Sequence, residues 1–462
     1  MDAASTAWVM AATMGVSLMI PGLALYYGGM AGARSILNVI MMTFGAVAVT
    51  GVIWTLYGFS FAFGDSYGGV GLLGDVTEYV GLGEALPDVP NTALPLAGFA
   101  TFQALFAAIT VAIISGGLVD RVRFGPWLVF SGLWVTIVYL PVAHWVFSLS
   151  APDGSRTGGW ILNRLQAVDY AGGTAVHINS GIAALAAVLA LGPRVGWPRR
   201  PRPNSLPLTA LGGGMLWFGW FGFNAGSALA SGNAACVVLL TTFDAACAAM
   251  LTWLAVEKIV DGHATTLGGI TGVLAGLVAI TPACGAVSPL GALAVGGLAG
   301  IVCALAVRLK YRWGFDDALD VVGVHLVGGI LGTLLVGVFA ISSAPNGREG
   351  LLYGGGFELL RAQALATAAV LVFSFTLTWL LVKAVDRTLG LKLSDDAQLD
   401  GVDLAVHRER GWDLDGRLQV PSAQVSVPVP SAELPVRAEV SVAEAPVLVE
   451  GRNGSSEGVT RR

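Results

Sequence analysis

Long apolar runs separated by short polar loops fill the first 385 residues of the chain. Eleven of these runs approach the ~20 apolar residues that a helix needs to cross a bilayer core. They cover 6–27, 36–63, 96–119, 126–149, 170–191 and 206–229, then 234–256, 267–284, 290–309, 321–341 and 357–385. The pattern predicts an all-α polytopic membrane protein with eleven transmembrane helices. Beyond the last run the composition turns polar and charged over 388–416. From 417 to 462 it is rich in Pro, Val, Ser and Glu with no sustained period, the composition of a disordered segment. The expected organisation is a membrane domain over 1–387, an ordered proximal tail over 388–416 and a disordered tail over 417–462.

Basic residues set the orientation, because cytoplasmic loops of membrane proteins carry the excess of Lys and Arg. One set of alternate loops holds Arg34, Arg121, Arg123, Arg194, Arg199, Arg200, Arg202, Lys258, Arg308, Lys310 and Arg312, eleven in all. The other set holds only Arg156, Arg164 and Arg348, which is three. The asymmetry places the N-terminus outside and the C-terminus, with both tail segments, in the cytoplasm. The loop with Asp65, Asp75, Glu78, Glu84 and Asp88 then faces outward.

Composition agrees with this class. Of 462 residues, 55% are hydrophobic and 12% charged, against about 25% charged in soluble domains. The 63 glycines are spread through apolar runs, where close helix packing uses them. A net charge of −5 says little about partners, and no run resembles a nucleic-acid-binding surface. Cys236, Cys247, Cys284 and Cys303 show neither a disulfide framework nor metal spacing and read as small hydrophobes. The N-terminus lacks the basic region of a signal peptide, so the first run is expected to remain as a span in the cell (cytoplasmic or inner) membrane.

Ionisable groups inside spans cost ~2.5–3.5 kcal/mol on insertion scales and so call for a reason. Two form a matched set. His177 closes Asp169-Tyr170-Ala171-Gly172-Gly173-Thr174-Ala175-Val176-His177 in the fifth run, and His325 closes Asp320-Val321-Val322-Gly323-Val324-His325 in the tenth. Runs five and ten are equivalent if the fold is two five-helix halves plus one helix. Five is odd, so the halves point in opposite directions, as in inverted-repeat transporters. That arrangement brings both histidines to the midplane as a pore-lining pair. Asp320 is expected to cap its helix; Asp169 either caps its own or lends negative potential to a cation vestibule. Aromatic residues gather at the outer ends of several runs, where a cation losing water finds π faces worth ~2 kcal/mol each. Asp244 lies inside the seventh run with no evident partner.

These motifs resemble the Amt/Rh ammonium transporters, on the Amt side. The resemblance is carried by the first run around 21–29 (PGLALYYGG), by 169–181 (DYAGGTAVHINSG), by 217–227 (WFGWFGFNAGS), by 279–284 (AITPAC) and by 320–325 (DVVGVH). It covers about residues 6–412. It implies a homotrimer with one pore per subunit, conducting ammonium or ammonia and methylammonium, with His177 and His325 lining each pore. It further implies a stacked aromatic gate of Phe106 and Phe223, flanked by Phe102 and Gln103. Trp220 and the Ser227 hydroxyl are implied in the outer vestibule, Thr281 near it, and Asp169 as the essential outer aspartate. The family often places a Trp in the segment that here reads His144-Trp145-Val146-Phe147, so either Phe147 or Trp160 is expected as the cation–π wall. A PII-type signal protein is the implied cytoplasmic partner.

Stripping an ammonium ion of water costs tens of kcal/mol in a low-dielectric medium, which a few cation–π contacts do not offset. Loss of the proton at the gate and passage of ammonia along the imidazoles avoids that barrier. An ammonium sensor signalling through the cytoplasmic tail is the alternative. A membrane enzyme is disfavoured, because no metal-ligand cluster, nucleophile elbow or phosphate loop is found, and no cofactor is implied.

The charge asymmetry yields a direct test of topology. A reporter fused after Arg462 is expected in the cytoplasm, and a cysteine replacing Asp88 should react with an impermeant thiol reagent from outside. Labelling of that site only from the cytoplasmic side overturns the orientation.

Overall fold

A chain crossing hydrocarbon has to satisfy its backbone internally, and apolar runs of this length do so as helices. The computed structural model describes residues 2–86, 94–199 and 202–412. Asp88, Arg200 and the tail from 417 to 462 lie outside them. Among the described residues the regular elements are helical, and extended pairing is confined to isolated bridges.

The architecture is carried by α1 (Ala3–Met30), α2 (Ile36–Phe63), α3 (Leu96–Leu118), α4 (Phe124–Phe147) and α5 (Gly173–Leu191). There follow α6 (Leu206–Gly226), α7 (Asn233–Val260), α8 (Thr266–Ile280), α9 (Pro289–Trp313), α10 (Val322–Phe339) and α11 (Glu358–Leu389). Among the described residues nine of these are long and apolar enough to cross a membrane. The other two are α6, where Gly and Trp dilute the aliphatic residues, and α8, which has 15 residues. The protein is thus an all-helical, multi-pass membrane protein.

Local sequence explains the departures from straight helices. Pro141 has no N–H to give the preceding turn, and α4 widens into a π-turn over Val135–Tyr139 just before it. Similar turns interrupt α2 at Trp54–Gly58 and open α5 and α10 at Gly173–Ile178 and Val322–Leu326. Such turns inside α-helices are frequent at functional sites. Here two of them contain the histidines.

Helix association in lipid relies on close packing rather than on expulsion of water. α1 packs along α6, and small residues set the approach. A Cβ on Gly212 would strike the Tyr26 backbone, and one on Gly222 would strike Ala12. Gly181 on α5 lies in the same way against the backbone of Leu326 on α10. Asp244 is half-exposed on α7. Cys284 and Cys303 are buried as expected, whereas Cys236 is exposed and Cys247 half-buried.

The segment after α11 packs onto three loops. The Arg123 N–H donates to the Leu391 carbonyl (3.0 Å) and the Leu393 N–H to that of Arg121 (2.8 Å). Asp403 accepts from the N–H groups of Leu37 (3.1 Å) and Asn38 (2.8 Å), capping the first turn of α2. His407 Nε2 lies 3.0 Å from Asn38 Oδ1, and Trp412 Nε1 donates to Asn204 Oδ1 at 3.0 Å.

Two glycines two residues apart, Gly212 and Gly214, separate packing from propensity. Gly212→Val is expected to lose ~1–3 kcal/mol through overpacking against α1. Gly214→Val meets open space and should leave thermal unfolding in detergent unchanged. Equal shifts of the two midpoints would remove the special role of the α1–α6 contact.

Candidate functional site: paired histidines behind stacked aromatic rings

Both histidine-bearing helices begin with N–H groups that have no partner within the helix, and a carboxylate meets them in each case. At α5, Asp169 accepts from Gly172 (2.8 Å) and Gly173 (2.6 Å) on one oxygen, and from Thr174 (2.8 Å) and Ala175 (3.2 Å) on the other. Gly172, at φ 110°, gives the left-handed turn that lets the chain double back onto this carboxylate. The side chain of Asp169 therefore acts as a cap.

At α10 the cap is not Asp320, as the sequence led us to expect, but Asp317. Its two oxygens accept from Val321 (3.1 Å) and Val322 (2.8 Å). Asp320, at φ 63°, turns instead to Lys310, with Nζ 2.6 Å from its carboxylate. Each histidine then stands eight residues after its capping aspartate, Asp169 to His177 and Asp317 to His325. The matched spacing was legible in 317–325 (DALDVVGVH), but the nearer Asp320 masked it.

Asp316, beside the cap, is held by two arginines. Arg194 reaches it through Nε (2.9 Å) and Nη2 (2.8 Å), and Arg121 Nη1 lies 3.4 Å away. Burial alone would push the Asp316 carboxyl up. Hydrogen bonds from Arg194 and the charges of Arg121 and Arg194 outweigh it and hold the group below the usual carboxylate range.

The caps bring the histidines together. His177 Nδ1 and His325 Nδ1 are 3.2 Å apart, with ring centroids at 5.3 Å. Two Nδ1 atoms hydrogen bond only if one is protonated and the other accepts, so each ring sets the tautomer of its partner. Both are buried, and His177 Nε2 has no protein partner. Phe106 and Phe223 stack next to them, with centroids 3.9 Å apart and planes within 12°. Phe102 lies 4.9 Å from Phe106, and Phe147 meets Phe106 edge-on at 6.4 Å. Trp160 packs on Trp145 at 5.8 Å, so of the two expected wall residues it is Phe147 whose ring meets Phe106.

Ser227 Oγ donates to the Phe223 carbonyl (2.9 Å) and keeps its lone pairs free. Gln103 is buried with Oε1 unpartnered. Trp220 sits deeper than the outer vestibule that the resemblance implies. It stacks on His177 at 5.3 Å and donates through Nε1 to Thr281 Oγ1 at 2.9 Å. A cavity beside it is bounded by His177, His325, Trp220, Phe223, Tyr26 and Tyr27, and gives about 20 Å³ to the centre of a water-sized molecule. That is room for about one such guest. Its aliphatic lining, including Met19 and Leu216, carries no sequence signal that separates it from ordinary core.

A family model described as the ammonium transporter family matches residues 7–412. This chain belongs to the ammonium transporter family. An ammonium transporter of Mycobacterium bovis is 51% identical over 437 residues, covering 89% of this chain and 91% of its own. One of Corynebacterium glutamicum is 42% identical, with 90% of each chain covered. Among solved structures, Candida albicans Mep2 is 34% identical with a TM-score of 0.76, covering 86% of this chain and 87% of that one. A structure described as a sensor Amt protein is 31% identical with a TM-score of 0.79, covering 87% and 98%. The transporter moves ammonium across a membrane, and the twin histidines expected for it are present.

The corrected cap makes a clear ordering. Asp317→Ala strips two N–H groups of their acceptor and is expected to lose ~1–2 kcal/mol of stability, with reduced methylammonium uptake. Asp320→Ala removes an ion pair only and should be milder in both respects. Thermal unfolding and uptake in proteoliposomes measure the two, and the reverse order would return the cap to Asp320.

Proposed function

We propose that each subunit recruits ammonium at the Phe106–Phe223 end, removes its proton there and passes ammonia along His177 and His325. Methylammonium follows the same route. The observation that carries this reading is the lining of the cavity behind the gate. Among its residues there are imidazole, indole and phenol rings but no carboxylate. Nothing there compensates the tens of kcal/mol needed to dehydrate a cation, whereas a neutral, water-sized guest meets hydrogen-bonding rings. A cationic imidazole pair would repel ammonium, so conduction calls for the neutral pair.

In this route Phe147, Ser227, Gln103 and Phe102 form the recruitment site. The half-buried Phe147 offers a π face, Ser227 an oxygen, and Gln103 an unpartnered carbonyl. Trp160 supports the loop beside that site through Trp145. Trp220 and Thr281 back the lumen against His177, and Asp169 acts by holding the start of α5.

The finer architecture follows the same reading: eleven spans as an inverted 5+5 repeat plus one helix, N-terminus outside and C-terminus inside the cytoplasmic membrane. The excess of arginine in one set of loops supports it. So does the docking of residues 391–412 on loops of that set alone, at Arg34, Arg121 and Asn204. A membrane domain over 1–387, a docked proximal tail over 388–416 and a distal tail over 417–462 are the corresponding divisions. Homotrimer assembly and a PII-type partner on the cytoplasmic side rest on the family resemblance.

The twin histidines are the point to test. An apolar replacement leaves one buried imidazole without its partner, at ~1–3 kcal/mol. His177→Ala and His325→Ala are each expected to reduce or alter conduction sharply in proteoliposomes while the protein still assembles. The double variant should lose less than the sum of the two, because the rings act as one unit. An acidic replacement should shift selectivity from ammonia toward ions. Strictly additive losses, or single variants with wild-type flux, would reduce the pair to a helix–helix contact, and binding without flux would favour a sensor.

A further inference from the structure

The two capping aspartates share a feature that neither the repeat nor the caps themselves require. The residue immediately before each cap is gripped by a buried polar side chain from a distant helix or loop. Before Asp169 stands Val168. Its N–H donates to Gln363 Oε1 at 2.7 Å, and its carbonyl accepts from Gln363 Nε2 at 2.7 Å. The same Nε2 also reaches the Thr333 carbonyl on α10 at 3.0 Å. Before Asp317 stands Asp316, whose carbonyl accepts from Arg121 Nη2. Arg121 also donates to the carbonyls of Gly117 (2.6 Å) and Gly192 (2.7 Å). Gln363 and Arg121 are both fully buried.

We propose that Gln363 and Arg121 are positioning residues for the twin histidines, each fixing the residue just before the aspartate that caps its histidine-bearing helix. The two come from unrelated places, α11 and the α3–α4 loop, so internal repetition does not account for the shared arrangement. Helix geometry explains why the residue before the cap matters. A slip of one residue moves a side chain about 1.5 Å along the axis and turns it by roughly 100°. An Nδ1–Nδ1 contact of 3.2 Å does not survive that. The cap tolerates such a slip, because a carboxylate reaches several successive N–H groups, as Asp169 does with four. The grip on the preceding residue supplies the register that the cap lacks. Gln363 suits this task, since its amide matches both the backbone donor and the backbone acceptor of one residue, Val168. The Arg121 guanidinium draws three carbonyls to one point.

This inference rests on the reading of His177 and His325 as the conducting pair, and the test separates the two. Gln363→Met keeps the side-chain length and removes all three hydrogen bonds, and Arg121→Gln removes the fork. Displacement of a reacting group by about 1 Å can reduce a rate roughly a hundredfold, so methylammonium uptake is expected to fall about ten- to a hundredfold in each variant. The deciding readout is spectroscopic. In transporter labelled with 15N-histidine, the Nδ1–H···Nδ1 bond gives a through-bond nitrogen–nitrogen coupling. Gln363→Met and Arg121→Gln should each abolish or weaken it in protein that assembles as the wild type does. Coupling at wild-type strength in both variants, with or without loss of flux, overturns the proposal. Absence of coupling in the wild type would instead refute the histidine pair itself. If Arg121→Gln does not assemble, Gln363→Met decides the outcome.

Discussion

The start of a helix inside a membrane protein exposes backbone N–H groups where no water can satisfy them, and the transport site depends on how this chain meets that constraint. Asp169 and Asp317 supply acceptors at the beginnings of α5 and α10. Each cap lets a helix begin close to the pore, with its histidine eight residues on. Without such an acceptor these N–H groups would go unsatisfied, at ~1–2 kcal/mol of stability for each cap. The π-turns that open both helices then present His177 and His325 to one another.

Close packing makes the same site narrow. Where Gly212 and Gly222 meet α1, and Gly181 meets Leu326, backbones approach to distances that any side chain would prevent. The lumen left between them holds about one water-sized guest. Its walls are aromatic and aliphatic apart from the imidazoles, and no carboxylate lines them. On the proposed route, selectivity is a property of packing and of missing countercharge as much as of the two histidines.

Aromatic residues divide into two groups by depth. Phe106 and Phe223 stack on one another, while Trp220, which shares the segment of Phe223 in sequence, stacks on His177. Three residues separate Trp220 from Phe223, close to one helical turn, so the two rings share a face of α6 at different depths. Four residues on, Ser227 stands about one turn beyond Phe223 and donates to its carbonyl. One face of α6 thus carries Ser227, Phe223 and Trp220 in turn, ending on His177.

The apolar runs, the histidine motifs and the family signature are contiguous in the chain, and sequence by itself determined the helical membrane class, the twin histidines and the transport function. It determined much less where an interaction joins residues far apart. The grip of Gln363 on Val168 spans 195 positions, and nothing in the local pattern around either residue announces it. Local pattern also favoured Asp320 as the cap, because it stands nearest to the helix. Tertiary structure gave that place to Asp317, since Lys310 draws Asp320 away while the backbone amides turn toward its neighbour. Phe147 and Trp160 were equal in sequence for the same reason. Which ring reaches the gate depends on how the loop after α4 folds back, and the loop's contacts with Gly71 and Trp145 exist only in the folded chain.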